Sequence, residues 1–192
     1  MICDACKAKH LRKRSGLYHY TESGLPNVYL KNVEWSECPA CGARRVTIPR
    51  MGQLHRCIAW KIVTQPAFLT PAEIVFLRKS LRMRQREFAE ILGVDQVVLS
   101  RWETGTRQHS KANDQVIRFT YLTLQDDEYT HPIHSEIWNI LNRRIAAVQK
   151  TAKVSTVTLD PSECNIEEEI RELVAQGAAL SAANRPQTHD VR

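Results

Sequence analysis

Apolar residues recur with two different periods along the chain. Up to about residue 60 they alternate in short runs, as in NVYLKNVEW at 27–35, which predicts a strand entered from the SGLPN turn at 23–27. After TQPAFLTP at 64–71 the period becomes helical: Ile74, Leu77 and Leu81 recur behind Thr70 as N-cap, with Pro71 at the first helical position and Glu73 at N3. Further helices are predicted over 84–92, 95–103 and 113–124. Beyond LQDDEYTHP, another should run from Ser135 to about Lys150, with Ile137, Leu141 and Ile145 on one face. KVSTVTLDPSEC interrupts the helical pattern, IEEEIRELVAQ resumes it, and SAANRPQTHDVR reads as a mobile tail. There is no internal repeat.

The segment VDQVVLSRWETG at 94–105 carries the clearest functional pattern. At about 100° per residue, Gln96, Val97, Ser100 and Arg101 fall within one arc of about 140°, and Val98, Leu99 and Trp102 fall in the opposite one. The preceding helix should bury Phe88, Ala89, Ile91 and Leu92, with Ala89 small enough for close approach, Gly93-Val94 as the turn and Asp95 as N-cap. Two helices so joined predict a helix-turn-helix whose second helix offers its polar arc to a major groove. Arginine suits guanine O6 and N7, glutamine suits adenine N6 and N7, and Val97 suits a thymine methyl. A helix-turn-helix with a purely structural role is the competing reading.

CDAC (Cys3, Cys6) and CPAC (Cys38, Cys41) form a C-x-x-C … C-x-x-C array, the second pair followed by Gly42. Each C-x-x-C turn can present two thiolates to one side of a metal, and two turns complete a tetrahedron. One structural Zn2+ is expected, in a small β-rich ribbon whose hairpin carries YHY and NVYLKNVEW. With every position held by protein there is no open site for a substrate water. A thioredoxin-like redox motif would need a βαβ context that the pattern does not supply. Cys57 and Cys164 read as buried or incidental thiols without partners, and His10, His19 and His55 as surface or packing residues.

The expected fold class is therefore α+β: a small N-terminal β-rich zinc ribbon (1–62), an all-α helix-turn-helix domain (67–124), extra C-terminal helices (125–180) and the tail (181–192). The 192 residues, 43% hydrophobic, suffice for one ordinary domain or two small ones. No N-terminal run resembles a signal peptide and no apolar stretch approaches a membrane span, so a cytoplasmic protein is expected, associated with the nucleoid if it binds DNA. Charge is uneven: residues 1–66 carry 11 Lys+Arg against 4 Asp+Glu, residues 67–124 carry 9 against 6, and residues 125–192 carry 7 against 11. The basic first two thirds suit an anionic partner. No nucleophile–base pair or open metal points to an enzyme.

Residues 70–124 resemble the phage-repressor or Xre-type helix-turn-helix family, on QREFAEILGV, LSRWETG and the helix after Ser110. That resemblance implies that Gln85 lies near a phosphate and that Gln96, Val97, Ser100 and Arg101 face bases or backbone. Arg84 stands where the family often has a small polar N-cap, which implies a weaker cap and an added phosphate contact. With the cysteine pairs, YHYTESGLPNV and CPACG in front, residues 1 to about 124 resemble the YgiT-type zinc finger proteins, the MqsA antitoxin family. The resemblance implies a zinc domain that binds a cognate toxin and a helix-turn-helix domain that dimerises and represses its own operon at a palindromic operator. Val97 stands where one family pair has Asn, four residues before the matching Arg101, so the operator should differ.

These readings converge on a sequence-specific repressor, a homodimer on an inverted repeat in double-stranded DNA, with Arg107 and Lys111 neutralising phosphates. Two others stand beside it: a stand-alone regulator of a mobile element or prophage without a toxin, and a zinc-ribbon adaptor that binds only protein. For residues 125–192, the stripe of Ile166, Ile170, Leu173 and Val174 suggests a dimer contact. A cover for the basic surface and a merely solvated acidic face are the alternatives.

Overall fold

The computed structural model describes residues 2–7, 11–125, 135–172 and 175, and side chains from 139 onward in the helix that begins at 135. His10, the side chain of Ile137, Leu173, Val174 and the 181–192 tail lie outside the described residues. The architecture is α+β, an N-terminal sheet followed by helices.

Three N-terminal strands are β1 (Arg12–His19), β2 (Val28–Glu37) and β3 (Arg44–Val46). β2 pairs antiparallel with β1 on one edge and with β3 on the other, where Trp35 faces Val46. The β1–β2 register shifts between Gly16 and Tyr18, so that Lys31 and Asn32 together oppose Leu17, and Asn32 takes φ 56. This bulge has a packing cause. Val28 and Leu30 are buried on one face; strict alternation would turn Asn32 to that face, and the inserted residue brings Val33 there instead.

Next comes α1 (Met51–Thr64), a helix within the stretch expected to be β-rich. It buries Leu54, Cys57, Ile58, Trp60, Ile62 and Val63 and belongs to the same apolar cluster as the sheet residues and the helices that follow.

The helix-turn-helix region forms as the periodicity predicts, in α2 (Pro71–Ser80), α3 (Gln85–Ile91), α4 (Gln96–Glu103) and α5 (Lys111–Leu124). Thr70 and Glu73 make a reciprocal capping box at α2, and Asp95 Oδ1 accepts the Val97 N–H at 2.7 Å at the start of α4. Gly93 takes φ 67 in the turn between α3 and α4, closed by the Val94 N–H on the Ala89 carbonyl at 3.0 Å. Phe88, Ala89, Leu99 and Trp102 are buried as expected. Ile91 is not: it is 48% exposed, because α3 ends there and the chain turns away before anything covers it.

The C-terminal region returns to the rest of the chain. α6 (Ser135–Ala146) places Leu141 and Ile145 in the common core, and the Gln149 N–H donates to the Pro66 carbonyl at 2.8 Å. The segment expected only to interrupt helices contains β4 (Val157–Leu159), which pairs parallel with Val28–Leu30 of β2, on the edge that β3 also uses. Asn27 Nδ2 donates to the Ser155 carbonyl at 2.7 Å, and Asn32 Nδ2 to Asp160 Oδ2 at 2.6 Å. Helical turns follow over 166–172, where Ile166 and Ile170 pack against the core of their own chain. The described part of the apolar stripe is thus half-buried against its own chain.

One buried polar group joins α1 to α5. The Arg118 guanidinium, 0% exposed, donates Nε to Asp114 Oδ1 at 2.6 Å, Nη1 to the carbonyls of Ile62, Val63 and Gln65 at 3.1, 2.9 and 2.9 Å, and Nη2 to that of Ala67 at 2.5 Å. Asp114 also accepts from His109 Nε2 at 2.9 Å and from the Leu69 N–H at 2.7 Å. Carbonyls left open at the end of α1 are thereby satisfied. Burial opposes ionisation of Asp114, but His109, Arg118 and the Leu69 N–H together outweigh it and hold the carboxyl below its usual range.

Arg118→Leu should lower stability by about 3–5 kcal/mol, because it strands a buried carboxylate and four carbonyls; a urea midpoint unchanged from wild type would refute that weight. Asp114, with a folded pKa below its unfolded value of about 3.9, contributes stability that is complete above that value and is lost as pH falls through the folded pKa. Asp114→Asn should therefore flatten the fall of the thermal midpoint below about pH 4.

Candidate functional site

Two features could carry function. The first is the cysteine array. Cys3, Cys6, Cys38 and Cys41 bring their Sγ atoms within 4.8 Å of one another. Cys3 and Cys41 lie 3.7 Å apart, and Cys6 and Cys38 3.5 Å. A tetrahedron with metal–sulfur bonds of about 2.3 Å has sulfur–sulfur edges of about 3.8 Å, so the pocket fits zinc.

The two knuckles share a local design. In each, an N–H returns to the first cysteine carbonyl, Lys7 to Cys3 at 2.9 Å and Gly42 to Cys38 at 2.8 Å. The residue after the second cysteine is left-handed in both, Lys7 at φ 60 and Gly42 at φ 71. The Ala40 and Cys41 N–H groups, aimed at the Cys38 sulfur, bring its thiol down to about 6. The Ala43 N–H acts to lower Cys41, but hydrogen bonds shared with Cys6 and Cys38 prevail and push it up to about 12. Crowded thiols cannot all ionise without a cation, and Zn2+ supplies one. The four cysteines therefore constitute a tetrathiolate zinc site.

The histidines weighed as substitute ligands are engaged elsewhere. His19 Nε2 donates to the Pro26 carbonyl at 2.9 Å and its ring stacks on Tyr29. His55 shares a hydrogen bond with the Tyr20 hydroxyl at 2.8 Å, and burial lowers its pKa.

The second feature is the exposed face of α3 and α4. Gln96, Val97 and Arg101 are exposed on α4, Val97 at 57%, and Ser100 is half-buried beside them. Gln85, half-buried in the first turn of α3, meets Gln96 through its Oε1, with Gln96 Nε2 at 3.5 Å. Arg84, next to it, is exposed. An arginine side chain has no acceptor, so only half a capping box forms there: the Arg84 backbone N–H donates to Glu87 Oε2 at 2.8 Å. Arg107 lies exposed in the loop after α4, its backbone N–H on the Arg101 carbonyl at 3.1 Å, and Lys111 is exposed at the start of α5.

Glu103 organises this face, a role the sequence reading missed by treating it as the end of a helix. Its carboxylate accepts Arg78 Nε at 2.6 Å and Nη2 at 3.0 Å, and Gln85 Nε2 at 2.9 Å. Arg78 also holds the Met83 carbonyl at 3.0 Å. A mostly buried ion pair thus fixes Gln85, which meets Gln96 in turn. His109 does the same for the loop carrying Arg107: buried against Phe68 and Trp102, it anchors on Asp114. The Glu103 anchor joins residues 18 and 25 positions apart in the chain, so no local spacing announces it.

Cys57 and Cys164, read as partnerless, lie in one buried cluster, where each thiol acts on the ionisation of the other. Among the described residues no helix is long and apolar enough to cross a membrane.

A family model for the antitoxin component of a bacterial toxin–antitoxin system, MqsA, matches residues 1–128, from the first zinc knuckle to the end of α5. No curated protein and no solved structure matches the chain. Two thirds of the sequence, including the four-cysteine site and the helix-turn-helix, fall within that match, and the chain belongs to the MqsA antitoxin family.

Proposed function

We propose that this antitoxin-family protein is a sequence-specific transcriptional repressor that binds its operator, an inverted repeat in double-stranded DNA, as a homodimer, and whose zinc domain binds a cognate toxin. The observation that carries the DNA reading is the exposed row Gln96, Val97 and Arg101 on a helix whose other side is buried through Leu99 and Trp102. Gln85 is held from behind by Glu103 and Gln96 donates to Gln85 in turn, so their amides meet base edges or phosphates at little loss of side-chain freedom. Arg84, Arg107 and Lys111 surround the row and serve as phosphate contacts. Two such helices about 34 Å apart would read successive major grooves on one side of the duplex, and repression would follow from blocking the promoter. In this reading the protein is cytoplasmic and binds without catalysing.

A second reading, a regulator without a toxin, gains support from one observation: β4, from the part of the chain beyond the family match, already pairs with the zinc domain's central strand. Co-purification with the product of a neighbouring small gene separates the two.

A footprint of the zinc-loaded protein on DNA upstream of its own gene should protect an inverted repeat. Arg101→Ala should weaken that binding by about 1–3 kcal/mol and relax selectivity at one position of each half-site. Equal protection by the variant, or none by the wild type on any candidate promoter, would overturn the reading. Replacing Arg107 and Lys111 by Ala should instead weaken binding to all sequences and reduce the salt slope by about 1 for each phosphate no longer neutralised. Metal analysis should return one Zn2+ per chain, and chelation should lower the unfolding midpoint, since binding energy at a structural zinc is folding energy. A substoichiometric metal content with an unchanged midpoint would argue against a structural role.

A further inference from the structure

Cys57 and Cys164 stand apart from the zinc cluster and have no part in the DNA-facing surface. Cys57 is fully buried on α1, and Cys164, 5% exposed, lies just before the 166–172 helical turns. The whole helix-turn-helix separates them in the chain, yet both lie in one buried cluster and each thiol acts on the ionisation of the other. Their surroundings hold the two segments in register. Lys61, one turn after Cys57 on α1, pairs with Glu169, and Asn32 pairs with Asp160, four residues before Cys164. Two buried thiols whose segments are held together by these flanking contacts need limited backbone movement to become a disulfide.

We propose that these two thiols form a redox latch: a hydroperoxide oxidises Cys164, Cys57 resolves the product, and the resulting disulfide ties the C-terminal extension covalently to α1. Cys164 is the sulfur within reach of solvent, since it lines an open cleft of about 810 Å3 with Lys31, Asn32, Lys61 and Glu163, whereas Cys57 has no exposed surface. The electrostatics divide the roles in the same way: the neighbouring thiol pulls Cys164 down and pushes Cys57 up, with burial raising both.

The step balances. The Cys164 thiolate attacks one oxygen of the peroxide, the O–O bond breaks, and Cys164 becomes a sulfenic acid as hydroxide leaves and takes up the proton that Cys164 gave up. Cys57 Sγ then attacks the Cys164 sulfur, the S–S bond forms, the S–O bond breaks, and water departs with the Cys57 proton. Two thiols lose two electrons, and hydrogen peroxide becomes two waters. The consequence lies in the sheet. β4 occupies the edge of β2 from within the tethered segment, and the oxidised chain can no longer withdraw it.

The test uses the full zinc-loaded chain with near-stoichiometric hydrogen peroxide, followed by alkylation, non-reducing digestion and mass spectrometry, with released zinc measured in parallel. The expected result is a linked pair of peptides containing Cys57 and Cys164, lighter by two hydrogens and separated by dithiothreitol, with zinc retained. Cys57→Ser should stop the reaction at a Cys164 sulfenic acid that dimedone captures. The latch is overturned if Cys57 and Cys164 remain alkylable while zinc is released and disulfides form among Cys3, Cys6, Cys38 and Cys41. It is equally overturned if no thiol reacts. The wild-type measurement stands without the variant, so a poorly folding Cys57→Ser does not decide the outcome.

Discussion

The Arg118 guanidinium is the constraint on which the relation between the two halves of the chain depends. A charged group at zero exposure bears a large desolvation cost, offset here because Asp114 and four carbonyls take up its donors. Those carbonyls belong to the end of α1 and the residues that lead into α2, and Asp114 itself receives the Leu69 N–H. Apolar packing alone would let α1 slide or turn against α5. Directional hydrogen bonds to five separate acceptor groups select one arrangement. The TQPAFL stretch is therefore a joint fixed by backbone hydrogen bonds as well as by buried Ala67 and Leu69.

This anchoring extends towards the exposed row of α4 without touching it. His109 bonds Asp114 and packs against Trp102, so the loop that carries Arg107 hangs from the same buried carboxylate. On the other side of α4, Glu103 joins Arg78 of α2 to Gln85 of α3. The exposed row of α4 thus sits between two polar anchors, each buried more deeply than the residues it supports. Preorganisation of this kind lowers the entropy lost when long side chains meet a ligand.

What the sequence disclosed was local. Thr70 with Glu73, Asp95 before α4 and Gly93 in the turn are signals spanning four residues or fewer, and the helices they bound lie within one to three residues of expectation. The zinc ligands were equally legible, because C-x-x-C is a local geometry used twice. α1 was missed for a physical reason. It buries residues on most of its circumference, from Leu54 through Val63, so it shows no single apolar stripe, and Arg50 gives it no side-chain cap. β4 has three residues and exists because β2 offers an edge to it. Glu103 with Arg78 and Cys57 with Cys164 are long-range pairs, and composition holds no record of them.

The bulge at Asn32 shows how one inserted residue can serve two ends. It restores the burial of Val33, and it also turns an amide outward to meet Asp160 of the extension. β2 then has one edge filled by β1 and the other shared by β3 and β4. The edge of the sheet on the β1 side begins with Arg12, Lys13 and Arg14, which are exposed and charged. Charge on an edge strand discourages indiscriminate pairing with other strands. Displacing β4 from β2 would also require breaking the Asn27, Asn32 and Lys61 contacts that hold the extension in place. Since α1 carries Lys61 and ends on Arg118, such a displacement would be felt on the helix that joins the zinc sheet to the helix-turn-helix.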